Sequence, residues 1–408
     1  MRVSFFALAL CAASFGCAVA GERTPPPPPA APASPATFDE LLAAVAAADA
    51  SERQGLADAF LEGRALPLVE EGAAVFVLRL PSPSQATLRV AGDFDGWIGE
   101  PLAHLEDTDV AWGRVPLPED ARVDYKFIVD GEYLLDAANP ATCPSGFGDN
   151  SELAMPAWTY PADIDFDAAI PHGTLNGVEI AGDDVPAPLA LESRGLGNVR
   201  DVWIYVPARN DDPLPLLVVN DGGDYLRLAH MQHVLDATIA RGDIEPIAVA
   251  FVSPVDREAE YVGASVPDYV TLVRDELIPL VEEHVTLAAD PGVHGVWGTS
   301  FSGYVAVRLA ADALDDDGAP LFGRVASQSG RLLIDGGRAI EALVPRAGRL
   351  WVDTGLLFDT AEENRDALGR LSDSALDVAF LEVNEGHSWG SWRARIAPGL
   401  RPLFGPTD

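Results

Sequence analysis

Apolar and polar positions fall into three textures along the chain. Between Phe38 and Arg64, apolar residues recur at helical spacing: Phe38, Leu41, Leu42 and Val45, then Leu56, Phe60 and Leu61. That period buries one face of a helix, so two short helices are predicted, covering something downstream. From Val69 to Pro161 the texture changes to short alternating runs cut by turn residues. The runs are Ala74 to Leu80, Ala86 to Ala91, Ala111 to Pro116, Asp124 to Val129 and Glu132 to Leu135, with the hairpin signal Asp130-Gly131 between the last two. Many short strands at regular spacing predict a β-sandwich. After Phe166 the pattern becomes strand, turn, helix, repeated. Apolar strands are Val202 to Val206, Leu216 to Val219, Ile247 to Val252, Val293 to Trp297, Arg349 to Val352 and Val378 to Val383. Helical patterns such as Tyr269 to His284 and Tyr304 to Ala313 lie between them. This alternation predicts an α/β fold with a mostly parallel sheet covered on both faces.

Length and charge narrow the picture. A chain of 408 residues exceeds what one core usually organises, in keeping with two domains. The expected organisation is a signal peptide at 1–20, a proline-rich linker at 21–37, a helical segment at 38–66, a sandwich at 67–161 and an α/β domain at 166–408. The formal net charge is -36, which repels phosphate backbones and anionic lipid, so nucleic acid is not an expected partner. The sole lysine is Lys126.

The N-terminus reads as an export signal: Arg2, the apolar run Phe5 to Ala13, and the small residues Ala18-Val19-Ala20 before Gly21. The run is too short to span a bilayer, and no transmembrane helix is expected elsewhere. Cys17, after Ser14-Phe15-Gly16, is an alternative site of lipid attachment. The expected location is periplasmic or extracellular. Cleavage after Ala20 leaves Cys143 as the one thiol, so the fold must rest on its core and not on disulfides. His104, His172, His230, His233, His284 and His294 are scattered, and no Cys/His spacing suggests a metal or other cofactor.

The chemical signal is Gly298-Thr299-Ser300-Phe301-Ser302-Gly303, entered by an apolar strand and left by a helical pattern. Such a turn strains the backbone and lifts a serine hydroxyl above the sheet. The hydroxyl needs an imidazole to accept its proton and a carboxylate to orient that imidazole. His387 is the one histidine after Ser300, and it follows the last predicted strand. The carboxylate should lie between them. Asp359 in the loop past Leu350–Val352 is the first candidate, with Asp353 and Glu362 behind it. The oxyanion calls for two backbone amides, Phe301 and one in the loop Asn220-Asp221-Gly222-Gly223-Asp224, where Gly223 is favoured. Asp224, Tyr225 and Trp389 are candidate substrate contacts.

At these residues, 166–405 resemble the α/β-hydrolase esterase family that includes enterochelin esterases, feruloyl esterases and S-formylglutathione hydrolases. The enterochelin-esterase-like branch is the nearest match, through VVNDGGDYLRLA (218–229), PVDREAEY (254–261), DELIPL (275–280), GTSFSG (298–303), FGRVASQSG (322–330) and EGHSWGSWR (385–393). The resemblance implies an α/β-hydrolase fold, with Ser300 as nucleophile, His387 as base and Asp359 as acid. Two departures stand out: the family usually has Gly at Ser302, and siderophore-esterase relatives usually have Asp at Ser388. Upstream, AGDFDGW (91–97), YKFIVDGEY (125–133), DAANP (136–140) and GDNS (148–151) resemble the Ig-like glycogen-binding modules of kinase β-subunits. That likeness implies sugar contacts at Trp97, Lys126, Tyr133 and Asn150.

The reading is an exported serine ester hydrolase acting on a small-molecule or glycan ester. Its substrate is either an acylated carbohydrate or a ferric-siderophore ester. The second needs clustered arginines at the mouth, with Arg227, Arg257 and Arg393 as possible members. A non-catalytic glycan-binding protein on a silent scaffold, or an acyltransferase using the same serine, are the alternatives.

Overall fold

The computed structural model describes residues 34–80, 87–209, 213–372 and 374–406. The expected export signal, the alternative Cys17 anchor site and most of the expected linker lie outside the described residues. The two helices expected at the N-terminus are Phe38–Ala47 and Ala50–Leu61. Thr37 caps the first by accepting the Glu40 amide. Their apolar faces, with Phe38, Leu41, Val45 and Phe60, pack on Leu68, Val75, Val77 and Val110 of the sheet beneath.

That sheet has four strands in the order Leu68–Glu70, Ala73–Arg79, Val110–Pro116, Ala103–His104. A second antiparallel sheet runs Glu100–Pro101, Leu88–Gly92, Arg122–Val129, Asn150–Ala154, Thr142–Cys143, with Glu132–Leu134 also paired to Arg122–Val129. Side chains alternate between the faces of a strand, so Ala74 and Phe76 of one sheet meet Val90, Val123, Tyr125 and Phe127 of the other in a common core. The alternating runs read from the sequence are therefore strands, shifted by one or two residues at their ends.

The larger sheet has ten strands. Six are parallel, in the order Ala248–Val252, Leu216–Asn220, Gly295–Thr299, Arg324–Gln328, Arg349–Gly355, Asp377–Val383. Asn198–Val206 joins them antiparallel to Ala248–Val252. Helices Val266–Leu272 and Phe301–Asp312 cover one face, and Met231–Arg241 and Ile396–Phe404 the other. Parallel strands buried on both faces explain the near-continuous apolar runs. The chain leaves Leu216–Asn220 for one side, then crosses to Gly295–Thr299 on the other. In open α/β sheets, clefts form where strand order reverses in this way.

Three differences from the sequence reading have local causes. The strand expected at Val293 starts at Gly295, because Asp290 caps a short turn over Pro291–Val293 through the Gly292 amide. Arg324–Gln328 is a central strand that was not expected, since Ser327 and Gln328 break its apolar run. The helix expected over Tyr269–His284 is Val266–Leu272 and Ile278–Glu282, joined through one wide turn at Val273–Leu277.

Candidate active site

Ser300 ends the strand Gly295–Thr299 and precedes the helix Phe301–Asp312, with φ 55° and ψ -119°. A non-glycine residue at positive φ is strained, and such strain collects at functional sites. The turn is tight enough that a Cβ at Gly298 would run into the Ser302 backbone. Ser302 fastens it further: its hydroxyl accepts from the Thr299 amide at 2.7 Å and donates to the Thr299 carbonyl at 2.8 Å.

The His387 Nε2 atom lies 3.0 Å from Ser300 Oγ, and His387 Nδ1 lies 2.7 Å from Asp359 Oδ1. Asp359 is fixed by three more donors: the Ser329 hydroxyl and the Gly355 amide, both at 2.6 Å, and the Thr360 amide at 2.7 Å. Burial pushes the Asp359 carboxyl up, but His387, Arg395 and the Ser329 hydroxyl outweigh it, and the pKa falls to about 2. An ionised carboxylate behind an imidazole behind a hydroxyl is a proton relay that can activate the hydroxyl.

The other acid candidates stand elsewhere. Asp353 is fully buried and pairs with Arg395 Nε at 2.7 Å, while accepting from Trp351 Nε1 at 2.7 Å. Burial raises its pKa to about 6. Glu362 is exposed in the first turn of Ala361–Gly369. Asp359 is thus the carboxylate brought to His387.

The Phe301 amide opens its helix and has no intrahelical acceptor. The Gly223 amide is engaged, donating to Ser253 Oγ at 3.2 Å. Its neighbour Gly222 starts the helix Gly222–Arg227 and has no intrahelical acceptor. Tyr225 corrects the sequence reading: that helix turns it inward, where it is fully buried and its hydroxyl bonds Gln328 Oε1 at 2.8 Å. It does not reach the cavity. The adjacent Asp224 does, and burial followed by the Asp221 charge raises its pKa.

Ser300 and His387 open into a cavity of about 720 Å³. One wall is Asp221, Asp224, Arg257, Trp389 and Trp392. The other comes from the β-rich region: Trp97, Lys126, Tyr133, Asn150 and the loop Ser145–Phe147. All four residues singled out for sugar contact therefore face the same space as Ser300. Trp392 sits edge-on to His387, with centroids 4.9 Å apart, and Trp389 edge-on to Trp392 at 5.1 Å. Phe147 is 99% exposed.

Of the three arginines proposed for a cationic mouth, Arg257 lines the cavity and Arg227 and Arg393 are not among its lining residues, although Arg227 and Arg257 both act on the Asp224 carboxylate. Arg227 lies over the Trp203 ring. Arg393 pairs with Glu152 at 3.0 Å. Arg257 lines the cavity, but its guanidinium grips the Asp221 carboxylate at 2.8 Å. Among the lining residues, two cations, Lys126 and Arg257, face two acids, Asp221 and Asp224.

The loop bearing His387 is held from the β-rich region, which the sequence did not reveal. The Arg122 amide donates to the Asn384 carbonyl at 3.1 Å, and Trp158 Nε1 donates to Glu385 Oε1 at 2.8 Å. Ser388 Oγ donates to Asp93 Oδ2 at 3.1 Å and accepts from Arg122 at 3.3 Å. A Cβ on Gly386 would collide with the Asp93 side chain. Ser329 was likewise visible only as part of a motif. It supports Asp359 and also accepts from Trp392 Nε1 at 3.0 Å.

Sheet order and helical cover define an α/β-hydrolase-like fold. Residues 193–351 match the model of the family described as Putative esterase. The ferric enterobactin esterase of Salmonella typhimurium is similar in structure, at 20% identity and a TM-score of 0.69, covering 85% of this chain and 98% of its own. The enterobactin esterase of Shigella flexneri, crystallised in the presence of enterobactin, is 21% identical with a TM-score of 0.67, covering 85% of this chain and 97% of its own. No curated protein matches the sequence. The family match supports an ester-hydrolysing enzyme, and these structures share the fold.

Proposed function

We propose that the chain is a serine carboxylic-ester hydrolase. Ser300 Oγ attacks the ester carbonyl as its proton passes to His387 Nε2. Asp359 holds the Nδ1–H of the resulting imidazolium. The developing oxyanion is met by the Phe301 amide and the Gly222 amide. Collapse expels the alcohol, which takes the proton from His387, and leaves an acyl-Ser300 ester. Water, deprotonated by His387, then releases the acid and restores the hydroxyl. The observation that carries this reading is the Ser300–His387–Asp359 chain at 3.0 and 2.7 Å, open to a cavity.

The lining favours an ester with flat apolar faces and little net charge. Trp97, Tyr133, Phe147, Trp389 and Trp392 offer rings, and the cations are matched by acids. An acylated carbohydrate fits this balance. A trianionic ferric siderophore calls for a surplus of cations that the lining lacks. The N-terminal β-rich region acts in this reading as an Ig-like, sugar-facing module, and residues 1–20 as the signal for export. The test is turnover of short aryl esters, acetylated and feruloylated saccharides and catecholate esters by wild type and Ser300→Ala. Hydrolysis of the saccharide esters that is lost in Ser300→Ala is expected. Equal turnover by the variant overturns the mechanism, and preference for the catecholate esters overturns the substrate class.

A further inference from the structure

Three ligand-type side chains converge outside the cavity. Asp183 belongs to the irregular segment before the strand Leu189–Ser193, and His230 and His233 stand at the start of the helix Met231–Arg241. One carboxylate oxygen, Asp183 Oδ1, faces both imidazoles: it is 3.1 Å from His233 Nε2 and 3.5 Å from His230 Nδ1. One donor atom from each residue lies within 4.8 Å of the others. None of the three lines the Ser300 cavity.

We propose that Asp183, His230 and His233 bind a divalent transition-metal ion of the zinc class, clamping the segment around Asp183 to the helix. Zinc bonds imidazole nitrogen and carboxylate oxygen at about 2.0–2.2 Å, so donors in a tetrahedral shell stand roughly 3.3–3.5 Å apart. The two Asp183 separations straddle that edge. Two imidazoles and one carboxylate form a borderline donor set, which suits Zn²⁺, Co²⁺ or Ni²⁺ better than Mg²⁺ or Ca²⁺. The His233 side chain is 1% exposed, so that ligand is already taken from water and ordered. Asp183 is 70% and His230 29% exposed, which leaves a solvent-facing position for water as fourth ligand. His230 takes a left-handed backbone, φ 49° and ψ 40°. The segment is anchored by the Val185 packing and by hydrogen bonds from Trp203 Nε1 to the Pro186 carbonyl and from Asn176 Nδ2 to the Ala187 carbonyl. An ion there would add a further anchor.

The sequence hid this site because Asp183 is 47 positions from His230, and a bare His-x-x-His is weak as a motif. Its test uses chelator-treated full-length protein titrated with Co²⁺ and Zn²⁺. One equivalent of Co²⁺ should give visible d–d bands of a low-coordinate nitrogen/oxygen site, and Zn²⁺ should quench them and raise the melting temperature. His230→Ala and Asp183→Asn remove a half-buried and an exposed ligand and leave buried His233 in place, so folding should persist, checked by circular dichroism. Each should weaken binding by about 100-fold or more. Binding that is absent in wild type, or equal in wild type and both variants, overturns the site. Ester hydrolysis is not part of the readout, so this result stands apart from the catalytic reading.

Discussion

The Ser388 hydroxyl sits 3.1 Å from Asp93 Oδ2, so the residue beside His387 is held by a carboxylate from the other region of the chain. Burial, and then the neighbouring Asp124 charge, push the Asp93 pKa up to about 7. The folded state therefore favours the protonated carboxyl. The sign follows: this contribution to stability is complete below about pH 4, where the unfolded carboxyl is also protonated, and is lost as pH rises through 7. Denaturant unfolding across pH 4–8 should show that decline in wild type and a flatter profile in Asp93→Asn. Parallel profiles would remove Asp93 from the account.

Asp359 runs the other way. With its pKa lowered to about 2, its contribution is present above about pH 4 and fades as pH falls toward 2. Asp359→Asn keeps the size of the side chain but disturbs the His387 tautomer. Its kcat should drop on the order of 10⁴-fold. Glu362→Gln, at an exposed position, should leave kcat unchanged. A steady-state comparison on one aryl ester decides it, and comparable losses in both variants would reject the assignment.

Ser300→Ala removes the proposed nucleophile. A loss of kcat of at least ~10³-fold is expected with little change in melting temperature, and an organophosphonate probe should label wild type only. Labelling at another residue would move the chemistry elsewhere.

Phe147 projects into solvent at the cavity and carries no core packing. Phe147→Ala should raise KM for a bulky saccharide or aryl ester several-fold, to about tenfold, while acetyl-ester turnover stays the same. If both substrates respond equally, the ring is not a substrate contact.

Gly386→Ala places a methyl against Asp93. The loop must shift, so a destabilisation of about 1–3 kcal/mol together with reduced kcat is expected. A variant with normal stability and rate would show that the contact between the regions does not position His387.

What could be read in advance follows from how local each signal is. The turn around Ser300 announces itself within six residues, because only small neighbours fit, and chain order points to His387, which lies 3.0 Å from Ser300 Oγ. The alternation in Asp124–Val129 and the apolar run in Leu216–Val219 predicted sheets of the right kind. Tyr225 was misjudged because a short helix, invisible in period, decides its direction. Ser329 and the Asp93–Ser388 contact stayed hidden because each gains meaning from partners 30 to 295 residues away. The same holds for Gly223, whose amide was already taken by Ser253.

In the proposed reading, the two-walled cavity described above separates choice of substrate from bond cleavage. Ser300, His387 and Asp359 belong to one region, while Trp97, Lys126 and the Ser145–Phe147 loop belong to the other. A graft that exchanges the outer wall, while keeping Asp93 and Arg122 to grip the histidine loop, would give an old catalyst a new appetite. Divergence among such enzymes can then proceed at the outer wall without rebuilding the engine.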